Sequence, residues 1–323
     1  MAKVEHAELC RMQALPLDEK IAIAHKAIRE YVEHFGVDGV YISFSGGKDS
    51  TVLIHLCRTL YPELVGLYSD TGLEFPEIRD FVQTFDNITI VTPKMHHREM
   101  LKKCGYPVVS KEQAEWIYRI RGGKSSGAIQ KAFYGINLDG TPTRFKLSEQ
   151  WKYLLNAPFN IGSGCCKEMK LKPIAEYVKQ TGRVPILGTT ATESALRAQK
   201  FKEYGFCVYE GRKAQCTPMS IWTDADVWDY IHRFQLPYCK IYDMGYDRTG
   251  CVFCGFGAHL DKEPNRFQRL QRTHPELWRY CMKSYDDGGL GMREVLEFMG
   301  IPYEKFLLED DENVLKSESR APG

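Results

Sequence analysis

The sequence predicts an α/β protein: a doubly wound, mostly parallel sheet with a helical insertion and a helical C-terminal extension. Three observations lead there. Short apolar, β-branched runs alternate with stretches of helical spacing, as parallel βαβ units require. A glycine pair stands where the first run gives way to the first helix, in Ser43-Phe44-Ser45-Gly46-Gly47-Lys48-Asp49-Ser50. The next apolar run ends in a polar turn, the place where ligands of such sheets collect. The expected organisation is an N-terminal helical segment over 1–37, an α/β domain over 38–260 interrupted at about 94–163, and a helical extension over 261–323 with a mobile tail.

With 323 residues, the chain suffices for one large α/β domain with an appendage or for two modest domains. Lys and Arg total 43 against 42 Asp and Glu, so bulk charge gives no reason to expect attraction to nucleic acid or membrane. No long apolar run is present and Met1-Ala2-Lys3-Val4-Glu5-His6 lacks a signal-peptide core, so a cytoplasmic protein without membrane contact is expected. Thiols stay reduced in that compartment, and eleven cysteines there point to metal binding or catalysis before disulfides.

Taken in order, Leu17 to Phe35 carries Ile21, Ala24, Ala27, Ile28, Tyr31 and Val32 at helical spacing, a scaffold helix. Gly39 to Ile42 reads as a buried strand, and Thr51 to Arg58 as the helix behind the glycine pair. Gly46 and Gly47 let the backbone turn sharply, and the first helical turn offers N–H groups and a favourable dipole to an anion. Ser45 and Ser50 add hydroxyls, Lys48 a charge, and Asp49 a carboxylate able to hold magnesium. The stretch is a phosphate cradle without Walker A spacing. Leu64 to Gly72 reads as a strand and polar turn that brings Asp70 to the same sheet edge. Phe75 to Phe85 reads as a helix, and Ile88 to Val91 as a third strand.

Between Lys94 and Ser163 the pattern loosens into a locally basic stretch with interspersed aromatics, including Arg119, Lys131, Trp116, Tyr118, Phe133 and Tyr134. Contact with single-stranded nucleic acid or with a small anionic substrate both fit, as does a solvated helical insertion. Gly122 to Gly127 reads as a hinge or lid, and His96-His97 as residues without a third metal partner. Val184 to Gly188 is a further buried strand, followed by Thr189 to Arg197. Thr223 is expected to cap the helix carrying Val227, Trp228 and Ile231. Asn265 to Tyr285 reads as one helix, Met292 to Met299 as another, and Glu309 to Gly323 as an acidic tail.

The cysteines form a pattern. Cys165-Cys166 opens a helix expected over Lys167 to Lys179, and Cys251-Val252-Phe253-Cys254 completes four thiols suited to zinc or an iron–sulfur cluster. Adjacent helical residues diverge by roughly 100°, which suits a multi-iron cluster better than one small ion. A [4Fe–4S] cluster on Cys165, Cys166, Cys251 and Cys254 is therefore expected. Cys207, Cys216 and Cys239 either relay sulfur or fill space.

These motifs carry a resemblance. Ser45 to Ser50 resembles the pyrophosphatase loop of the adenine-nucleotide alpha-hydrolase superfamily, and Asp70-Thr71-Gly72-Leu73-Glu74-Phe75 resembles its second loop. The paired cysteines with a distant C-x-x-C are similar to the cluster motif of adenosine-phosphosulfate (APS) reductases and of DNA phosphorothioation sulfurtransferases. Thr217 to Tyr230 and the E-S-x-x-R segment ending at Arg197 are similar to blocks of the phosphoadenosine-phosphosulfate (PAPS) and APS reductase family. The resemblance implies an ATP or other adenine-nucleotide site with Mg2+, lined by Ser43, Ser45, Gly46, Gly47, Lys48, Asp49, Ser50, Asp70, Thr71, Gly72, Gly188 and Glu193. It implies catalytic roles for Lys48, Asp49 and Arg197, and a place for Lys170 beside the cluster thiolates.

The implied activity is an AMP- and pyrophosphate-forming, iron–sulfur sulfurtransferase. The E-C-G-[IL]-H context that carries the nucleophilic cysteine of sulfonucleotide reductases is missing, and the last cysteine is Cys281. The alternatives are a thioredoxin- or thiol-dependent APS or PAPS reductase and a nucleotide-binding iron–sulfur subunit without turnover. Expected partners are an adenine nucleotide, a sulfur donor or a thiol or electron-donor protein, a nucleic-acid acceptor, and a second copy of the chain.

Overall fold

The computed structural model describes residues 4–122, 126–211 and 214–304. Two helices, α1 (His6–Gln13) and α2 (Leu17–Phe35), precede the strand β1 (Val40–Ser43), the helix α3 (Lys48–Leu60) and the strand β2 (Gly66–Ser69). The chain continues through α4 (Pro76–Gln83), β3 (Ile88–Val91), α5 (His97–Cys104), β4 (Val108–Val109), α6 (Lys111–Arg121) and α7 (Ser126–Ile129). A π-helical turn (Lys167–Leu171) leads into α8 (Lys172–Thr181) and β5 (Val184–Leu187). Then come α9 (Ala195–Tyr204), β6 (Cys207–Val208), β7 (Gln215–Cys216) and α10 (Asp224–Arg233). The described chain closes with β8 (Gly255–Phe256), α11 (Arg266–Thr273), α12 (Pro275–Met282) and α13 (Met292–Phe298).

The chain divides into two compact units, one of residues 1–94 and 170–250, the other of 95–169 and 251–323. In the first, a six-stranded sheet runs β3-β2-β1-β5-β7-β6 and is parallel except for β6, which lies antiparallel to β7. Strand order reverses direction at β1, flanked by β2 and β5, so the crevice at its carboxyl end is the topological switch point of the sheet. Successive side chains of a strand face opposite ways. Tyr41 accordingly packs with Leu67, Tyr177, Ile174 and Val178 on the α8 side, while Val40 and Ile42 are buried on the other. The second unit holds the short parallel pair β4 and β8 among its helices.

The α/β class and the parallel strands are as expected from the sequence. The division is not, because backbone pairing overrides chain order. Segment 95–169 joins residues after 251 through β4 and β8, and α2 packs on α3 and β7 in the unit of the sheet, so neither is an appendage of a 38–260 domain. Asn265 to Tyr285 is two helices, because Pro275 has no N–H to continue the first and begins the second. The helix expected from Lys167 begins as a π turn before α8. Residues 123–125 of the expected hinge and the tail from Glu309 lie outside the described residues. Among the described residues no helix is long and apolar enough to cross a membrane.

One local and one long-range feature hold the first unit together. Cys207 and Cys216 face each other across β6 and β7, their sulfurs 2.8 Å apart and both buried, so these two thiols fill the core. The buried Lys20 ammonium of α2 lies 2.6 Å from Asp226 Oδ2, and Asp226 also accepts from the Thr223 N–H and hydroxyl at the start of α10. Burial alone would raise the Asp226 pKa, but the hydrogen bonds from Lys20 and Thr223 outweigh it and hold the carboxyl below its ordinary value. That stabilisation is complete above the unfolded Asp pKa of about 4 and is lost as pH falls through the lower folded value. Lys20→Met leaves Asp226 without its cation and should cost roughly 3 kcal/mol at neutral pH. Urea melts of both proteins should converge as the pH is taken below about 4; a difference independent of pH would exclude the pair as its cause.

Candidate functional site

The Ser45–Ser50 loop takes its shape from two close approaches. Gly46 has φ +74°, and a Cβ there would come within 2.9 Å of a Val82 methyl and 3.0 Å of an Ile78 methyl, both on α4. Any L side chain would be strained and clash. A Cβ on Gly47 would lie 2.6 Å from the Thr249 hydroxyl. The Ser50 hydroxyl donates to the Gly47 carbonyl at 2.8 Å and accepts from the Ser45 N–H at 3.1 Å, closing the turn on itself. Ser43 ends β1 directly before it.

The first turn of α3 leaves N–H groups without intrahelical partners. That of Lys48 donates to the Tyr242 hydroxyl at 2.8 Å, so one donor of the cradle is held by a side chain. The Lys48 ammonium, buried at the helix start, sits 3.2 Å from Asp49 Oδ2 and pairs with Asp224 at the start of α10. Burial disfavours its charge, but the Asp224 hydrogen bond and the fields of Asp49 and Asp224 prevail and raise its pKa above the ordinary value. The loop therefore presents a permanently charged lysine flanked by two carboxylates. Asp224, Tyr242 and Thr249 went unrecognised in the sequence as loop residues, since each arrives from a distant stretch. The only local hint was a short acidic side chain opening a helix.

The other residues expected from the sequence to line a nucleotide mostly tie their own turns. Asp70 accepts from the Gly72 N–H at 2.9 Å and pairs with Arg79 at 3.2 Å. Thr71 donates to Glu74 through both N–H and hydroxyl, and Lys170 lies 3.3 Å from Glu74. Glu193 accepts from the Thr190 N–H and pairs with Arg197 one turn on. Gly188 packs against α3, where a Cβ would meet the Asp49 carbonyl at 3.2 Å.

In the second unit, one extended segment gathers both cysteine stretches. Tyr106 bridges to Ile161, and Val108 and Val109 pair with Gly255 and Phe256. Cys165-Cys166 follows the first contact and Cys251 to Cys254 precedes the second. The backbones meet so closely that a Cβ would lie 2.1 Å from the Cys104 carbonyl at Gly162, and 2.4 Å from the Pro107 carbonyl at Gly255. The Cys165 thiol pKa is pushed well up, first by its hydrogen bond with Cys166, then by burial and the fields of Cys166, Cys254 and Cys251. Four soft donors that oppose one another's ionisation fit a cationic metal centre, which would remove that opposition. Among the described residues no three His, Cys, Asp or Glu side chains converge on the site of a single ion.

Arg266 holds the C-x-x-C turn. One of its nitrogens donates to the carbonyls of Cys254 and Phe256, each at 2.9 Å, while Asp261 receives its Nε at 2.6 Å and Nη2 at 2.9 Å. A lysine cannot reproduce that fork. Arg266→Lys should bind less metal per chain, measured by elemental analysis after anaerobic purification, and should lose about 1–3 kcal/mol in a urea melt. Metal content equal to the unaltered protein would remove Arg266 from the site.

Comparisons with known proteins bear on both halves. Two uncharacterized proteins of Methanocaldococcus jannaschii are 29% identical over 237 residues and 28% identical over 243, covering 73% and 74% of this chain. The chain spans only 45% and 40% of their lengths. The adenosine 5'-phosphosulfate reductase of Geobacillus kaustophilus is 26% identical over 259 residues, covering 79% of this chain and 88% of that protein. The family model for the phosphoadenosine phosphosulfate reductase domain matches residues 39–131 and 130–255, a span that includes the glycine loop and all four clustered cysteines. By that match the chain belongs to the phosphoadenosine phosphosulfate reductase domain family.

Proposed function

We propose that this chain binds ATP at the Gly46-Gly47 loop, splits it to AMP and pyrophosphate, and uses the adenylate to transfer sulfur. The observation that carries the reading is the intact loop, with Lys48 charged and Asp49 beside it at the first turn of α3. An acceptor oxygen attacks the α-phosphorus, the bond to the β-phosphate oxygen breaks, and pyrophosphate leaves. Lys48 is the nearby cation for the charge that develops on that leaving group, and exchanges its carboxylate partners for phosphate. Asp49, released from Lys48, is the residue to hold Mg2+. Arg197, when it leaves Glu193, is a bidentate donor for an α-phosphate oxygen. A sulfide-level sulfur from the donor then attacks the activated acceptor atom; its bond to sulfur forms, its bond to the oxygen of AMP breaks, and AMP leaves with that oxygen.

Cys165, Cys166, Cys251 and Cys254 are the residues to hold a [4Fe–4S] cluster, and such a cluster supplies sulfur coordination or electrons when bound. The protein's own contribution there is the Arg266 clasp and the exclusion of water around Cys165.

Sulfonucleotide reduction is the second reading, favoured by the named reductase among the relatives. Cys281 does not serve it: that thiol is fully buried in α12, and burial raises its pKa well above the ordinary value. A reductase would need a thiol from elsewhere in the chain or from a donor protein.

ATP incubated with anaerobically purified protein should release pyrophosphate, and Asp49→Ala should abolish the release; unchanged release in the variant would refute the mechanism. Sulfite formed from APS or PAPS with a thiol donor, without pyrophosphate from ATP, would establish the reductase instead.

A further inference from the structure

From the surface of the second unit we infer that this protein binds single-stranded nucleic acid, through a patch centred on Tyr134 and Phe145. This goes beyond the nucleotide chemistry above and does not depend on it. Residues 95–169 contain twelve Lys and Arg against six Asp and Glu, whereas the whole chain is nearly balanced at 43 against 42. The excess is therefore local to this segment, and a local basic excess is the electrostatic footprint of a polyanion site.

The patch joins cations to exposed rings. Tyr134 is 64% exposed and Phe145 is 45% exposed, large values for aromatic side chains. The Arg144 guanidinium lies 5.1 Å from the centre of the Phe145 ring and the Lys131 ammonium 5.9 Å from it. Phe133 meets Tyr134 edge-on at 5.0 Å, and Lys152 stands 4.3 Å from the Phe133 ring. The stem of Lys146 runs against Gly135, the residue after Tyr134. Glu149 neutralises Lys152 at 2.8 Å, but Lys131, Arg144 and Lys146 have no ion pair among the described residues.

Exposed rings are costly to leave in water, and rings set among uncompensated cations are complementary to one class of partner. Unstacked bases offer flat faces to the rings, and the phosphates between them offer charge to the lysines and arginine. A duplex hides its base faces, and an acidic peptide has no use for the rings.

Fluorescence anisotropy of a labelled 15-nucleotide single strand, titrated with the full chain without ATP, tests the inference separately from any reaction. Binding should be tighter than to the matching duplex and weaken as salt rises. Tyr134→Ala and Phe145→Ala should each lower affinity about tenfold with little change in the salt slope. The pair Lys131→Gln and Arg144→Gln should reduce the slope by about 1.4, two phosphate contacts' worth. Tyr134→Trp should retain binding, which a loss by misfolding would not allow. No binding at low salt would overturn the inference. So would equal affinity for duplex with no effect of either ring, which describes a diffuse basic surface and no stacking site.

Discussion

Everything proposed for the first unit depends on one tight turn between β1 and α3. It works because Gly46 adopts a left-handed conformation beneath two methyl groups of α4, and because Gly47 passes beside Thr249. A side chain at either place would push the helix start away from the sheet edge. With the turn in place, the buried charge of Lys48 is tolerable only because Asp49 and Asp224 oppose it. In the proposed reaction these carboxylates would give way to phosphate oxygens, since the two are alternative partners for one ammonium. Tyr242 plays a parallel part for the Lys48 N–H.

The second unit solves a different problem, bringing together thiols from sequence-distant stretches. Its device is backbone contact. The segment around Tyr106 to Val109 touches the chain just before Cys165 on one side and just after Cys254 on the other. Glycine at 162 and 255 removes the Cβ that would separate these backbones. The neighbouring thiols hold Cys165 in its neutral form, first through the Cys166 hydrogen bond, and a cationic centre would be needed to ionise them together. The turn is held partly by Arg266, whose guanidinium donates to two carbonyls and to both oxygens of Asp261.

Much of this was legible before any fold was known. The 3.6-residue spacing of Leu17 to Phe35 matches α2 residue for residue, and Ile88 to Val91 matches β3. The glycine turn was also readable, because a tight turn demands specific residue types at short, fixed spacing. The errors fell where tertiary pairing governs. The single helix expected over Asn265 to Tyr285 ignored Pro275, and the 38–260 domain ignored a two-residue strand pair that redirects the insertion. Asp70 bonds to Gly72 and Arg79, and Thr71, Glu193 and Arg197 bond within their own turns, a detail that residue spacing does not encode.

The sequence by itself determined the fold class, the glycine turn after β1 and the two short cysteine motifs, because each is written in local periodicity or in a contiguous stretch. Only the tertiary structure decided that Asp224 and Tyr242 attend Lys48, that Arg266 clasps the C-x-x-C turn, and that insertion and C-terminal region form one unit. Those contacts join residues far apart in the chain, and their energy comes from burial and backbone approach that no short window of sequence contains.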